Sequence, residues 1–308
     1  MQSQEFNFDS PRLPLVDVSR SSGLVVVERG DVRIACDYEP PVSDAPADQL
    51  LILINGFARP RADFRAFRKR IHAQMPHLAT VALDNRGAGE TEGGIADLTV
   101  QNMALDAAFV AQGFAAALQL RGYHVLGISM GGMIAQTWAA QDARVNSLTL
   151  VSTTAGGRAR VWPEGVNGEE ARRKPFEPWP QDAAVMHRRM SRYFGPKFRA
   201  ASPMLIDIMV KNMLKSHTVE SAQGRAKAQY NATVGFDGTT LAAQVTCPTF
   251  VLTGTHDEVI PAENSSEIQK LIPHAKLFSF ADMGHLLLIE DPENFVAQVR
   301  TFLEGVGR

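Results

Sequence analysis

The feature that most constrains this chain is a series of short, dominantly apolar runs that show no polar alternation. Leu50-Leu51-Ile52-Leu53-Ile54 is the first. A strand with one wet face alternates apolar and polar residues. A run without alternation suits a strand covered on both faces, as in a parallel sheet lying between helices. Similar runs occupy 78–83, 125–128, 148–151 and, after a gap of about 100 residues, 249–252. Helical segments lie between them. Phe64, Phe67, Arg68 and Ile71 fall at helical spacing, 101–120 is rich in Ala, Leu and Phe and ends before Gly122, and 133–143 is a further helix candidate. Strand–helix alternation of this kind predicts an α/β fold, a mostly parallel central sheet with helices on both faces. Ahead of it, Val25-Val26-Val27 and Val32-Arg33-Ile34-Ala35 flank Arg29-Gly30-Asp31 and predict a hairpin.

The rhythm breaks between 155 and 240. This stretch opens with Gly156-Gly157, passes through Lys174-Pro175-Phe176-Glu177-Pro178-Trp179-Pro180, and continues with Met186/Met190 and Met209/Met213, each pair four residues apart. It reads as a helical insertion between two strands. The expected organisation is a core segment 1–154 with an N-terminal arm 1–22, an inserted helical segment 155–240, and a second core segment 241–308.

Composition narrows the function classes. The 31 Lys and Arg against 33 Asp and Glu give a net charge of −2. That balance exerts no global pull on nucleic acid or anionic lipid. Two cysteines, Cys36 and Cys247, exclude a disulfide framework and point to reduced thiols in a cytoplasmic protein. The first residues lack the basic and apolar regions of a secretory signal, and no stretch of about 18 apolar residues suggests a membrane span. The sequence leaves the oligomeric state open.

Chemistry concentrates in one motif. Gly127-Ile128-Ser129-Met130-Gly131 matches G-x-S-x-G between a strand candidate and a helix candidate. A sharp strand-to-helix turn pushes the serine hydroxyl into the open, and its flanking residues must be small. A base is expected late in the chain with an acid between them. His285 follows the strand candidate 276–280, and Asp257 follows the run 249–252. Both stand at the carboxyl ends of strands, where open α/β sheets place their sites. Glu258 is the neighbouring alternative to Asp257, and His256 is close enough to touch the site. An oxyanion hole needs the N–H of Met130 and a second N–H from the loop after an early strand, for which Phe57 in Asn55-Gly56-Phe57 is the candidate. The pattern Asp84-Asn85-Arg86-Gly87-Ala88-Gly89 fails the dinucleotide fingerprint, and no P-loop or zinc motif occurs, so neither a cofactor nor a metal is expected.

Asn55-Gly56-Phe57, Asp84 to Gly89, Gly127 to Gly132, Gly254 to Pro261 and Gly284-His285 together resemble the α/β-hydrolase fold superfamily, from about residue 23 to the C-terminus. The resemblance implies a Ser129–His285–Asp257 triad, a structural role for Asp84 and Arg86, and a cap over the site at 155–240. Asn55 departs from the histidine that many relatives carry there.

The function expected is a serine hydrolase that cleaves a carboxylic ester, lactone or thioester of a largely apolar small molecule. A carbon–carbon bond hydrolase of a diketone and a ligand receptor retaining the triad are the alternatives. Asn55, Met186, Met190, Met209 and Met213 are candidate substrate contacts, because methionines make an adaptable apolar lining. The insertion carries 14 Lys and Arg against 8 Asp and Glu, a net of +6 that leaves −8 for the rest of the chain. An acidic group on the substrate, or an acidic acyl carrier, is the corresponding partner.

Overall fold

A computed structural model describes residues 13–18, 22–43, 46–96, 98–216 and 220–306. The N-terminal arm expected at 1–22 therefore falls mostly outside the described residues. Its described part, 13–18, does not stand free: Pro14 and Val16 pack against Gly113 of a core helix.

In chain order the elements are β1 (Gly23–Arg29), β2 (Val32–Glu39), β3 (Gln49–Ile54), α1 (Arg65–Gln74), β4 (Leu78–Leu83), α2 (Val100–Ala117), β5 (Tyr123–Ile128), α3 (Met130–Ala139) and β6 (Val145–Val151). Then follow α4 (Gly168–Arg173), α5 (Ala183–Ser191), α6 (Pro196–Ala201), α7 (Pro203–Ser216), α8 (Glu220–Val234) and α9 (Thr239–Ala242). The chain ends with β7 (Thr249–Gly254), α10 (Glu263–Leu271), β8 (Lys276–Phe280), α11 (Leu287–Glu290) and α12 (Pro292–Val306). The eight strands form one sheet in the order β1-β2-β4-β3-β5-β6-β7-β8. The β1–β2 and β2–β4 pairs are antiparallel, and all others are parallel.

The unbroken apolar runs are explained by what covers them. Successive side chains of a strand point to opposite faces. Leu50, Ile52 and Ile54 of β3 pack with Met103, Val110 and Phe114 of α2 and Ile134 and Trp138 of α3. Leu51 and Leu53 pack on the other face with Phe67 and Ile71 of α1 and Phe295 and Val299 of α12. Strand β6 begins three residues before its apolar run. Ser147, just ahead of that run, hides the start of the strand yet is fully buried, because its hydroxyl lies 2.7 Å from His124 Nδ1 on neighbouring β5. Helix α3 likewise starts earlier than its apolar pattern, since Gly131 and Gly132 disguise its first turn.

Between β6 and β7 the chain leaves the sheet. The two ends of this excursion meet in an isolated antiparallel bridge, Gly156 with Asp237, closed by Gly157 N to Phe236 O at 3.0 Å and Gly238 N to Ala155 O at 2.8 Å. Its helices hold an apolar cluster of their own: Met186 and Met190 of α5, Phe194, Ile206, Val210 and Met213 of α7, with Trp179 and Ala226. Helix α9 belongs instead to the sheet, for Ala242 joins the main core. Among the described residues no helix is long and apolar enough to cross a membrane. Cys36 and Cys247 are free thiols.

The His124–Ser147 pair has a consequence for acid stability. Burial pulls the His124 imidazole down to about 4 from its ordinary 6.5. The unfolded chain then takes up this proton below about pH 6.5, while the folded chain resists until about pH 4. The stability present above pH 6.5 drains away over that window, by about 3 kcal/mol for this one group. Urea unfolding at pH 7 and pH 4 checks it: the loss between the two is expected to be smaller, by about that amount, in His124→Gln.

Candidate active site

Strands β3, β5, β7 and β8 all end on one edge of the sheet, and the residues singled out from the sequence sit just past those ends. The chain order reverses direction across the sheet between β3 and β5, the place where open α/β folds form a crevice. Ser129 lies there, between β5 and α3, with φ of +55° and ψ of −118°. That conformation costs a non-glycine residue on the order of 1–3 kcal/mol. Four contacts hold it: Ser129 N donates to Val151 O at 2.9 Å, and Ser129 O accepts from Gly132 N at 2.9 Å, Met133 N at 3.3 Å and Thr153 Oγ1 at 2.7 Å. Gly131 is obligatory, because a Cβ there would stand 2.1 Å from Ile54 O.

The side chains of His285 and Asp257 meet just past the ends of β8 and β7. His285 Nδ1 lies 2.7 Å from Asp257 Oδ2, and both side chains are almost completely buried. The other carboxylate oxygen accepts from Val259 N and Ile260 N, each at 2.8 Å. With Nδ1–H donated to the carboxylate, Nε2 is left as the acceptor. Glu258, the alternative acid, is occupied elsewhere: it pairs with Arg199 at 3.0 Å and is half exposed. His256 is exposed beside Thr255 and does not line the cavity described below.

The Asn55-Gly56-Phe57-Ala58 loop lies against the serine, close enough that a Cβ on Gly56 would come 3.2 Å from Ser129 Cβ. Asn55 borders the site, but its carboxamide is committed to the loop. Oδ1 accepts from Gly56 N at 2.8 Å, and Nδ2 donates to Pro60 O at 2.9 Å and Asp63 Oδ2 at 3.2 Å. Asn55 thus shapes the loop rather than presenting a polar group to a substrate. The N–H of Met130, the first residue of α3, has no acceptor within the helix. Asp84 and Arg86 act as anchors: Asp84 accepts from Arg61 N and Glu90 N, and Arg86 pairs with buried Asp106.

Ser129, His285, Met130, Phe57 and Asn55 line one cavity of about 310 Å³. Its walls are mostly apolar and include Met190 and Met213. Met186 and Met209 do not reach it. Met186 is fully buried in the core of the inserted helices, and Met209 packs on that core from outside. The spacing of four put each pair on one helical face, but that face meets α7 or α5 at one end and the cavity only at the other.

Several residues of the site carried no signal in the sequence. The carbonyl of Tyr193 accepts from His285 N at 2.9 Å and Leu286 N at 3.2 Å, and its ring stands edge-on to the imidazole at 5.5 Å. Glu290 takes Gly284 N on one oxygen at 2.9 Å and Gly195 N on the other at 2.8 Å. Burial raises its pKa, which the two N–H donors oppose. A Cβ on Gly284 would come within 2.8 Å of Tyr193 O, so the inserted chain lies directly over the histidine loop. Gln229 of α8, fully buried, accepts from Ala58 N at 2.7 Å and donates to Arg86 O at 2.6 Å. Each is a lone polar residue in an ordinary helix or turn, and only the tertiary contact gives it a role.

A family model described as alpha/beta hydrolase fold matches residues 49–292. Lipase 1 of Psychrobacter immobilis is 26% identical over 250 residues, covering 79% of this chain and 73% of that protein. Lipase 3 of Moraxella sp. (strain TA144) is 24% identical over 270 residues, covering 86% and 80%. Among solved structures, a thermophilic esterase from Thermogutta terrifontis superposes with a TM-score of 0.70 at 23% identity, over 94% of this chain and 100% of that one.

The Gln229 bridge yields a direct test. Gln229→Leu strands the Ala58 N–H and the Arg86 carbonyl, at a cost on the order of 3 kcal/mol in urea unfolding.

Proposed function

As this chain belongs to the α/β-hydrolase family, we propose that it is a serine hydrolase of carboxylic esters, lactones or thioesters. The observation that carries the reading is the buried Asp257–His285 hydrogen bond of 2.7 Å in the same cavity as a serine held at positive φ. The ester-hydrolase relatives, the two lipases above, support it.

In the proposed reaction, Ser129 Oγ attacks the acyl carbonyl while His285 Nε2 takes its proton. Asp257 keeps His285 in the tautomer that leaves Nε2 free, and stabilises the imidazolium that forms. The N–H groups of Met130 and Phe57 receive the developing oxyanion, a stabilisation that grows as charge builds in the transition state. Collapse expels the alcohol or thiol, which takes its proton from His285. Water, activated by the same imidazole, then releases the acid and restores Ser129.

The segment 155–240 acts in this reading as a cap that roofs the acyl pocket. Its apolar lining favours an apolar acyl or ring-bearing group. The neck at Gly156 and Asp237, the Glu290 tie and the Gln229 bridge make it part of the site's geometry.

Steady-state hydrolysis of 4-nitrophenyl acyl esters tests the assignment. Ser129→Ala and His285→Ala are each expected to lower kcat by about 10⁴- to 10⁶-fold. Asp257→Asn is expected to cost as much or somewhat less, since it misorients the base. A Ser129→Ala variant that kept more than about a tenth of the wild-type rate would remove Ser129 as nucleophile.

A further inference from the structure

Among the described residues, the cationic side chains Arg59, Arg160, Lys174 and Arg189 line the cavity. Arg59 is paired with Asp63 at 2.6 Å and Lys174 with Glu177 at 2.8 Å. The Arg160 and Arg189 guanidinium groups each lie over a tryptophan ring, Trp162 at 3.9 Å and Trp179 at 4.6 Å. Arg189 of α5 is the one whose ring leads on to the Phe57 loop. It is partly buried, and among the described residues no carboxylate lies within ion-pair distance of it. Glu177 is held by Lys174 and is largely exposed. The Arg189 guanidinium lies 4.6 Å over the ring of Trp179, and Trp179 in turn stacks on Phe57 at 5.8 Å.

Cation–π stacking fixes the plane of a guanidinium without using its N–H groups. A partly buried guanidinium with unused donors is matched by a carboxylate, which it binds through charge-assisted hydrogen bonds. The ring stack also sets where that carboxylate belongs. Phe57 carries one of the N–H groups proposed for the oxyanion, and the two ring contacts put the Arg189 charge at most about 10 Å from the Phe57 ring. An acyl chain that starts at the carbonyl and runs along Phe57 and Trp179 ends at the guanidinium.

We propose that Arg189 is an anion-binding residue and that the substrates are esters whose acyl chain ends in a carboxylate, half-esters of dicarboxylic acids. This inference rests on the serine-hydrolase reading for its chemistry, but not for its binding. The basic excess of the insertion is then concentrated, for recognition, in one residue. Arg192 and Arg199, by contrast, lie 3.7 Å and 3.0 Å from the carboxylate of Glu258.

The test compares 4-nitrophenyl hydrogen suberate with 4-nitrophenyl octanoate, which have equal chain length. The wild type is expected to favour the suberate in kcat/KM. Arg189→Gln is expected to lower the suberate-to-octanoate ratio by about 10- to 100-fold, chiefly through KM, and Arg189→Lys by less. Raising the salt concentration lowers the wild-type ratio. A ratio that Arg189→Gln leaves unchanged overturns the proposal while leaving the nucleophile assignment standing.

Binding provides an arm that needs no turnover. Monomethyl suberate titrated into Ser129→Ala, followed by tryptophan fluorescence, is expected to bind at least about tenfold more weakly when Arg189→Gln is added. Equal affinities overturn the proposal. If both 4-nitrophenyl esters resist hydrolysis, or Ser129→Ala still cleaves them, the serine-hydrolase reading fails, and the binding arm alone decides the role of Arg189.

Discussion

The site depends on how closely two backbone segments approach at the carboxyl ends of β3 and β5. Gly131 sits so near Ile54 O that no side chain fits between them. Helix α3 therefore begins hard against the Asn55–Ala58 loop, and the residue between strand and helix must turn sharply. Ser129 takes that turn at positive φ. The strain persists because the surrounding bonds from Val151, Gly132 and Thr153 fix both ends of the residue. The same approach brings the loop that carries Phe57 N–H alongside the N-terminus of α3. Both donors proposed for the oxyanion are thus set by one packing contact, with no need for a charged side chain.

The inserted helices are a working part of that arrangement rather than an ornament on the sheet. Three ties reach from them into the loops of the site. The Tyr193 carbonyl holds the backbone of His285, Glu290 joins Gly195 to Gly284, and Gln229 joins the Asn55–Ala58 loop to Arg86. A displacement of the inserted segment would therefore reach both the imidazole and the oxyanion loop. Buried hydrogen bonds of this kind set geometry because a stranded N–H or carbonyl is expensive.

Charge in the insertion follows the same economy. Its net of +6 looks in the sequence like a uniformly basic surface. In the fold, Arg192 and Arg199 face Glu258 of the core and Lys174 pairs with Glu177, so part of that charge is met by carboxylates. What distinguishes the cavity is a guanidinium, that of Arg189, stacked on a ring that in turn stacks on Phe57.

Local rules reached far into this protein. Strands buried on both faces must be apolar throughout, so β3, β4, β5 and β7 were legible, as was the α/β alternation they impose. The elbow was legible because only small residues tolerate the close approach around Ser129, and Asp257 and His285 were legible as residues just past strand ends. Other features are properties of the assembled chain. Ser147 masked the start of β6 as a polar residue ahead of the apolar run, and a histidine on the next strand satisfies it. Met186 and Met209 shared helical spacing with Met190 and Met213, yet spacing fixes only a face, and what that face meets depends on how α5 and α7 pack. Asn55 turned its carboxamide into its own loop. Gln229, through Ala58 and Arg86, and Glu290, through Gly195, act on partners 95 to 171 residues away. The sequence by itself determined the sheet, its coverings and the residues at its carboxyl edge, since short-range burial and backbone sterics dictate them. Only the tertiary structure decided which polar side chains hold the loops and which cation stays unpaired, because those outcomes depend on distances that no local pattern encodes.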